Sequence, residues 1–395
     1  MKKEEIQTKA FAFIDDHRDE MLEFWKNLVN MESWTLQKED VDIVADHLVE
    51  KINAFGGKAG LITFPKAGNA VEASFGEPGA KKPVCFLGHF DTVFQPGTVA
   101  QRPFTITDGK ATGPGVLDMK GGVTIQIFVA RALREAGYTD RQIKIILAGD
   151  EEEGHPFSNM DDIFEEKCRG AVAAFNFETG DVNGALVVGR KGTAPYNMMV
   201  KGVSVHAGRE PQNGRSAILE MAHKIIDIQA LSDYDAGTTF NVGMIKGGIA
   251  RNAVPDYAEI EIDVRVLRNE QLALIDGKLK EVAAKTYIEG TTTTLERGTG
   301  SIGPMERTGG NDKLFAYVKE TAATIGQEIS NPVVSGGGSD SASSVKAGVP
   351  SIDQMGVKGQ WNHSDREYAV VETLYERAKL AIACVLDIDK FEAQL

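Results

Sequence analysis

Cysteine is scarce in this chain: three in 395 residues (Cys85, Cys168 and Cys384), with no Cys-x-x-Cys pair. An odd, scattered set argues against a disulfide framework. Long apolar runs are missing too. None approaches the roughly 18 residues that a membrane span needs, so no membrane partner is expected. Positive charge is the third shortage, with 43 Lys and Arg against 57 Asp and Glu and a formal net charge of −14. So acidic a surface repels phosphate backbones, which argues against nucleic acid as a partner. The stretch from Met1 to Glu20 alternates charged with apolar residues and has no signal-peptide core, so a cytoplasmic location is expected. Hydrophobic content of 42% and charged content of 25% are ordinary for globular proteins and exclude wholesale disorder. The length suits two or three domains, each able to bury a core. What the chain has in excess is glycine, 42 residues and clustered.

Apolar periodicity organises the rest. Val41, Val44, Ala45, Leu48, Val49, Ile52 and Phe55 recur every three or four residues, a helix stripe that Gly56-Gly57 ends. Phe24, Trp25 and Leu28 repeat the pattern earlier. Strand-length apolar runs follow at 83–88, 142–149 and 171–177, with a helix-like stretch at 122–137 between the first two. Such alternation predicts an α/β sheet, mostly parallel and covered by helices on both faces. After Gly189 the order becomes strand, helix, strand, strand, helix, strand, which suits a small α+β sandwich. The glycine-rich stretch 298–310 reads as a linker, and helical patterns resume after it. One large domain, 1–190 and 303–395, is therefore expected to be interrupted by an inserted one, 191–302.

Three apolar strands end in ligand-type residues: His89 and Asp91 after the first, Asp150-Glu-Glu-Glu-Gly-His155 after the second, Glu178 after the third. In extended backbone His89 and Asp91 face the same side, at the end of the strand where open α/β sheets carry their sites. Taken singly, an acidic run after a strand is a solvated loop and His-x-Asp is a chance match. His17, His47 and His223 sit among charged helical neighbours and read as surface histidines; His155 reads as structural. The coincidence on one sheet edge changes the balance. Carboxylates mixed with imidazoles suit Zn²⁺, Mn²⁺ or Co²⁺ rather than a thiolate site.

At this point the chain resembles the M20 di-zinc metallopeptidases and deacylases, among them glutamate carboxypeptidases, acetylornithine deacetylases, succinyl-diaminopimelate desuccinylases and aminoacylases. The resemblance runs from about Val41 onward. It rests on GHFDTV at 88–93, GPGVLDMKGG at 113–122, DEEEG at 150–154, FETG at 177–180, SVHAG at 204–208, RNAVPDYAEIEIDVR at 251–265, GGGSDS at 336–341 and NHSD at 362–365.

The resemblance implies two divalent metal ions per subunit, Zn²⁺ first and Co²⁺ or Mn²⁺ as alternatives. Asp118 would bridge them, His89 and Glu178 would complete one site, and Glu152 and His363 the other. With an ionised Glu151, four carboxylates would offset the four positive charges. Asp91 would orient the His89 imidazole, and Glu151 would be the general base. A cis peptide is implied between Asp118 and Met119. The inserted domain would be a lid through which a homodimer forms. Its His206 would stabilise the oxyanion in the partner's site, and Arg265 and Asn252 would bind a substrate carboxylate. Gly337 and Gly338 would bring backbone N–H groups to that carboxylate. The implied activity is hydrolysis of an amide bond next to a free carboxylate, on a small peptide, as in a glutamate carboxypeptidase-like exopeptidase. An N-acyl-amino-acid deacylase is the alternative, and a non-catalytic metal- or ligand-binding relative the remote one. Around Leu295 to Met305 the further arginine of glutamate carboxypeptidases has no clear counterpart.

Overall fold

The computed structural model describes residues 2–395. The chain forms two compact units. Among the described residues the first comprises 2–189, 307–335 and 339–395; the second comprises 190–306 and 336–338. Against an expected insertion of 191–302, the second unit extends to 306 and takes in the glycine strip. Gly338 packs on Ile302, and Arg190 donates to the Gly338 carbonyl at 3.1 Å.

The first unit is built on a six-stranded sheet among the described residues. Its strands run in the order Lys58–Ile62, Ala70–Phe75, Ile143–Ala148, Val84–His89, Ala173–Asn176, Ser351–Ile352. The first three are paired antiparallel, and the last four lie parallel to one another. Every residue of Val84–His89 is buried, as a strand covered on both faces requires. Helices Gly121–Glu135 and Glu372–Glu392 bury their apolar faces in the large core, and Met160–Cys168 in a smaller one. The predicted helix at 41–55 is Lys38–Ala54. A second, small sheet of two- and three-residue strands, including Lys358–Gln360 and Tyr368–Val370, has no counterpart in the sequence reading.

Register positions the site. His89 pairs with Ala148 and Leu87 with Asn176, so three parallel strands end at one edge. His89, the 150–155 loop and Glu178 all leave from it. Gly122 tightens the assembly, because a Cβ there would meet the Phe177 carbonyl oxygen at 1.9 Å. The helix that follows Asp118 thus comes directly against the strand end that carries Glu178.

The second unit is an antiparallel four-stranded sheet in the order Thr239–Gly247, Tyr257–Val266, Gly192–Lys201, Thr292–Arg297. Burial alternates along Gly192–Lys201 and Tyr257–Val266. Their buried side chains form one core with Met221 and Ile228 of helix Ala217–Gln229 and with Ile275 and Leu279 of helix Asn269–Ala284. This is the predicted helix pair on one sheet. Among the described residues no helix is long and apolar enough to cross a membrane.

Candidate metal centre

His89, Asp118, Glu151, Glu152, Glu178 and His363 converge in the first unit. His89 Nε2 lies 3.3 Å from Asp118 Oδ1 and 3.3 Å from Glu178 Oε1. On the other side of Asp118, its Oδ2 lies 3.1 Å from His363 Nε2, which is 2.9 Å from Glu152 Oε2. One carboxylate thus faces two ligand sets with one oxygen each. Ligand atoms around a tetrahedral ion at roughly 2.0–2.1 Å lie about 3.3 Å apart, close to these spacings. His89 Nε2 is buried and makes no hydrogen bond. An orphaned imidazole nitrogen among four carboxylates is what a cation would satisfy, so the residues fit the implied metals. His89–Asp118–Glu152 and His89–Glu151–Glu178 each bring their ligand atoms within 4.8 Å of one another.

The loop carrying Asp118 is held from several sides. Gly115 turns at φ +71°, and the Asp118–Met119 peptide is cis, as the resemblance implied. Glu367, fully buried, accepts from Gly115 N at 3.1 Å, Leu117 N at 2.8 Å and Asp118 N at 3.0 Å. Trp25 Nε1 donates to the Val116 carbonyl at 3.1 Å, and Asn362 Nδ2 to Asp118 Oδ2 at 2.8 Å. Glu367 and Asn362 were not among the sequence candidates. Asn362 opens the NHSD motif and Glu367 follows it two residues on, so that motif was the available signal.

Asp91 does more than the expected orientation of His89. Its Oδ1 is 3.3 Å from His89 Nδ1, whose hydrogen bond runs to the Asp91 backbone carbonyl at 3.2 Å. The carboxylate also accepts from Glu151 N and Glu152 N, each at 3.1 Å, and from Thr35 Oγ1 at 2.7 Å. It therefore ties the His89 strand end to the loop of the candidate base. His155 closes the other end of that loop, with Nδ1 2.9 Å from Asp150 and Nε2 2.8 Å from Asp340. Its structural reading stands. Glu153 is exposed. His47 differs from expectation: it is half-buried against Phe24, and burial lowers its pKa.

Crowding sets the electrostatics. Burial, then the charges of Glu178, Asp340 and Glu152, push Glu151 well above the carboxylate range against the pull of His89. Burial and the Asp118 charge raise Glu152 to about 8. Burial works against an ionised Asp118, but contacts with His363 and His89 outweigh it and hold its pKa far down. Those with Asp118 and Glu152 raise the half-exposed His363 to about 11. Burial lowers the His89 pKa, yet the charge of Glu151 and the contacts with Asp118, Asp91 and Glu178 carry it well above its ordinary value. Too many anions share too little space, the condition that bound cations relieve.

The remaining candidates belong to the second unit. His206 and Asn252 are exposed and share one backbone bridge: His206 pairs with Ala253, and Ala207 N donates to the Asn252 carbonyl at 2.9 Å. Gly208 N donates to His206 Nδ1 at 3.1 Å, which assigns the ring proton to Nε2 and makes that nitrogen a donor. Arg265 is partly exposed and bonds Asp263 through Nε at 2.9 Å. Gly337 and Gly338 lie beside Arg190.

Residues 188–291 match the family model of the M20 peptidase dimerisation domain. Carboxypeptidase G2 of a Pseudomonas species is 28% identical over 391 residues, covering 96% of this chain and 91% of the relative. Among solved structures, aminopeptidase PepT from Bacillus cereus superposes with a TM-score of 0.79 at 24% identity, covering 94% of this chain and 99% of that one. An M20 family metallo-carboxypeptidase from Sulfolobus solfataricus does so with a TM-score of 0.73 at 20% identity, covering 95% and 100%.

Proposed function

We propose that this chain, which carries an M20 peptidase dimerisation domain at 188–291 and is similar along its length to carboxypeptidase G2, is a metal-dependent exopeptidase cleaving an amide bond next to a free carboxylate. The observation that carries this reading is the sharing of Asp118 between two ligand sets, His89 with Glu178 and Glu152 with His363, at spacings of 2.9 to 3.3 Å. These five residues would hold two divalent ions, Zn²⁺ being favoured by the mixed imidazole and carboxylate donors. Bound there, the ions would polarise the scissile carbonyl and acidify water.

The chain's own residues do the rest. Glu151 accepts the proton of the attacking water and hands it to the leaving nitrogen. Asp91 keeps Glu151 in place through its backbone N–H and steadies the His89 ring. His206, protonated at Nε2, supplies a donor for the oxyanion in the partner's site. Arg265 and Asn252, with the backbone of Gly337 and Gly338, receive the substrate carboxylate. Replacing Glu151 with Gln should abolish turnover of a dipeptide panel while leaving bound metal unchanged; comparable turnover would remove Glu151 from the reaction. An N-acyl-amino-acid deacylase uses the same residues and differs in what lies on the acyl side.

A homodimer through the second unit completes the proposal. Ile218, Leu219 and Ile226 of helix Ala217–Gln229 are exposed, as are Met244 and Ile245 of the edge strand Thr239–Gly247, and Ile249 beyond it is 84% exposed. An apolar edge strand beside an apolar helix face is a surface that monomers avoid leaving open.

A further inference from the structure

Beside the metal candidates lies a cleft of about 260 Å³ formed within the first unit alone. Leu117, Thr179 and Asn362 line it, and each is the chain neighbour of a candidate ligand: Asp118, Glu178 and His363. One of these walls, Asn362, also bonds the candidate ligand Asp118, which ties the cleft to the metal centre. The other walls include Asp181, Gln360 and the half-exposed indole of Trp361. Asp181 is half-buried and uses one oxygen, Oδ1, to accept from Asn183 N at 2.9 Å. Gln360 Oε1 accepts from the Tyr368 hydroxyl at 3.1 Å. Arg366 stacks on the Trp361 ring, 4.9 Å from its centroid, but among the described residues that line the cleft none is a lysine or arginine.

That chemistry is one-sided. A substrate carboxylate would find no lysine or arginine in this lining and would share the cleft with Asp181. A hydrogen-bond donor carrying positive charge would find a carboxylate partly withdrawn from water, where a charge-assisted bond is strong. We propose that this cleft is the subsite for the acyl side of the substrate and that Asp181 recognises a free α-ammonium group there, so that the substrates are short peptides with unblocked N-termini. The proposal rests on the exopeptidase reading and sharpens it, since acidic acyl groups such as succinyl would be repelled. Trp361 gives the first side chain of the peptide an apolar wall.

The test combines binding and turnover. The metal-loaded Glu151→Gln protein is titrated calorimetrically with one dipeptide in its free, N-acetylated and N-succinylated forms, with and without Asp181→Asn. Asparagine keeps the Oδ1 acceptor for Asn183, so the local turn is retained. The free dipeptide should bind about tenfold tighter than its acetylated form and tighter still than the succinylated one, and Asp181→Asn should erase that preference. Equal binding of the three forms, or a preference that survives Asp181→Asn, overturns the subsite. Turnover of the same panel by protein with Glu151 intact addresses the exopeptidase reading separately. Absence of hydrolysis together with an Asp181-dependent binding preference would sink the reaction and leave the subsite.

Discussion

Glu367 holds the loop that carries the candidate ligand Asp118. Its two carboxylate oxygens accept three backbone N–H groups from the 115–118 loop, the last belonging to Asp118 itself. An amide in its place would present N–H to N–H at one of these contacts. Glu367→Gln should therefore weaken metal binding by roughly 10- to 100-fold, the range for losing a residue that orients a ligand. Competition with a chromophoric chelator measures this directly; unchanged affinity would mean that Trp25 and Asn362 suffice. His89, Asp118, Glu152, Glu178 and His363 were all legible in sequence because strand ends and ordered motifs announce them. Glu367 was not, because its role depends on how the 115–118 backbone turns its N–H groups inward. Asp91 was named from sequence as the partner of His89, but its contacts with the 151–152 backbone were not, because they arise only once two parallel strands lie side by side.

At the scale of elements, the two helices of the second unit are locked by charge as well as by apolar packing. Lys224 is fully buried, 3.1 Å from Glu220 on its own helix. It donates to the carbonyls of Val282, Ala283 and Lys285, where the helix Asn269–Ala284 ends. Glu220 accepts from Tyr287 N and Ile288 N just beyond. Lys224→Met would strand the Glu220 charge and should cost roughly 3–5 kcal/mol. Urea unfolding followed by far-UV circular dichroism reads the loss, and a shift below about 1 kcal/mol would show that Glu220 finds other partners. Helix and strand positions here followed from periodicity, because alternation and three-to-four spacing report which face is buried. The small sheet through Lys358–Gln360 escaped because strands of two or three residues have no period to detect. The glycine strip 336–338 was expected, through the resemblance, to bring backbone N–H groups to a substrate carboxylate; its place in the second unit follows from the packing of Gly338 on Ile302.

For the whole molecule, the acidic surface and the apolar face of the second unit point to different partners. Net charge of −14 gives no long-range attraction for a carboxylate substrate, so capture has to be local. Ile226 and Ile249, 68% and 84% exposed, instead lie on the apolar face proposed for the homodimer. Ile226→Asp combined with Ile249→Asp should convert a dimer to a monomer in light scattering at micromolar concentration. An unchanged dimer would place the interface elsewhere, and a monomeric parent would refute it.

The most direct test of the central claim is metal content and dipeptide hydrolysis measured together as Zn²⁺ is removed by chelation and returned stepwise. Two ions per chain should bind, with hydrolysis restored as the sites fill, while the Glu151→Gln protein binds the same two ions and stays inactive. Hydrolysis that persists in metal-free protein, or failure of the parent chain to bind metal at His89, Asp118, Glu152, Glu178 and His363, would contradict it.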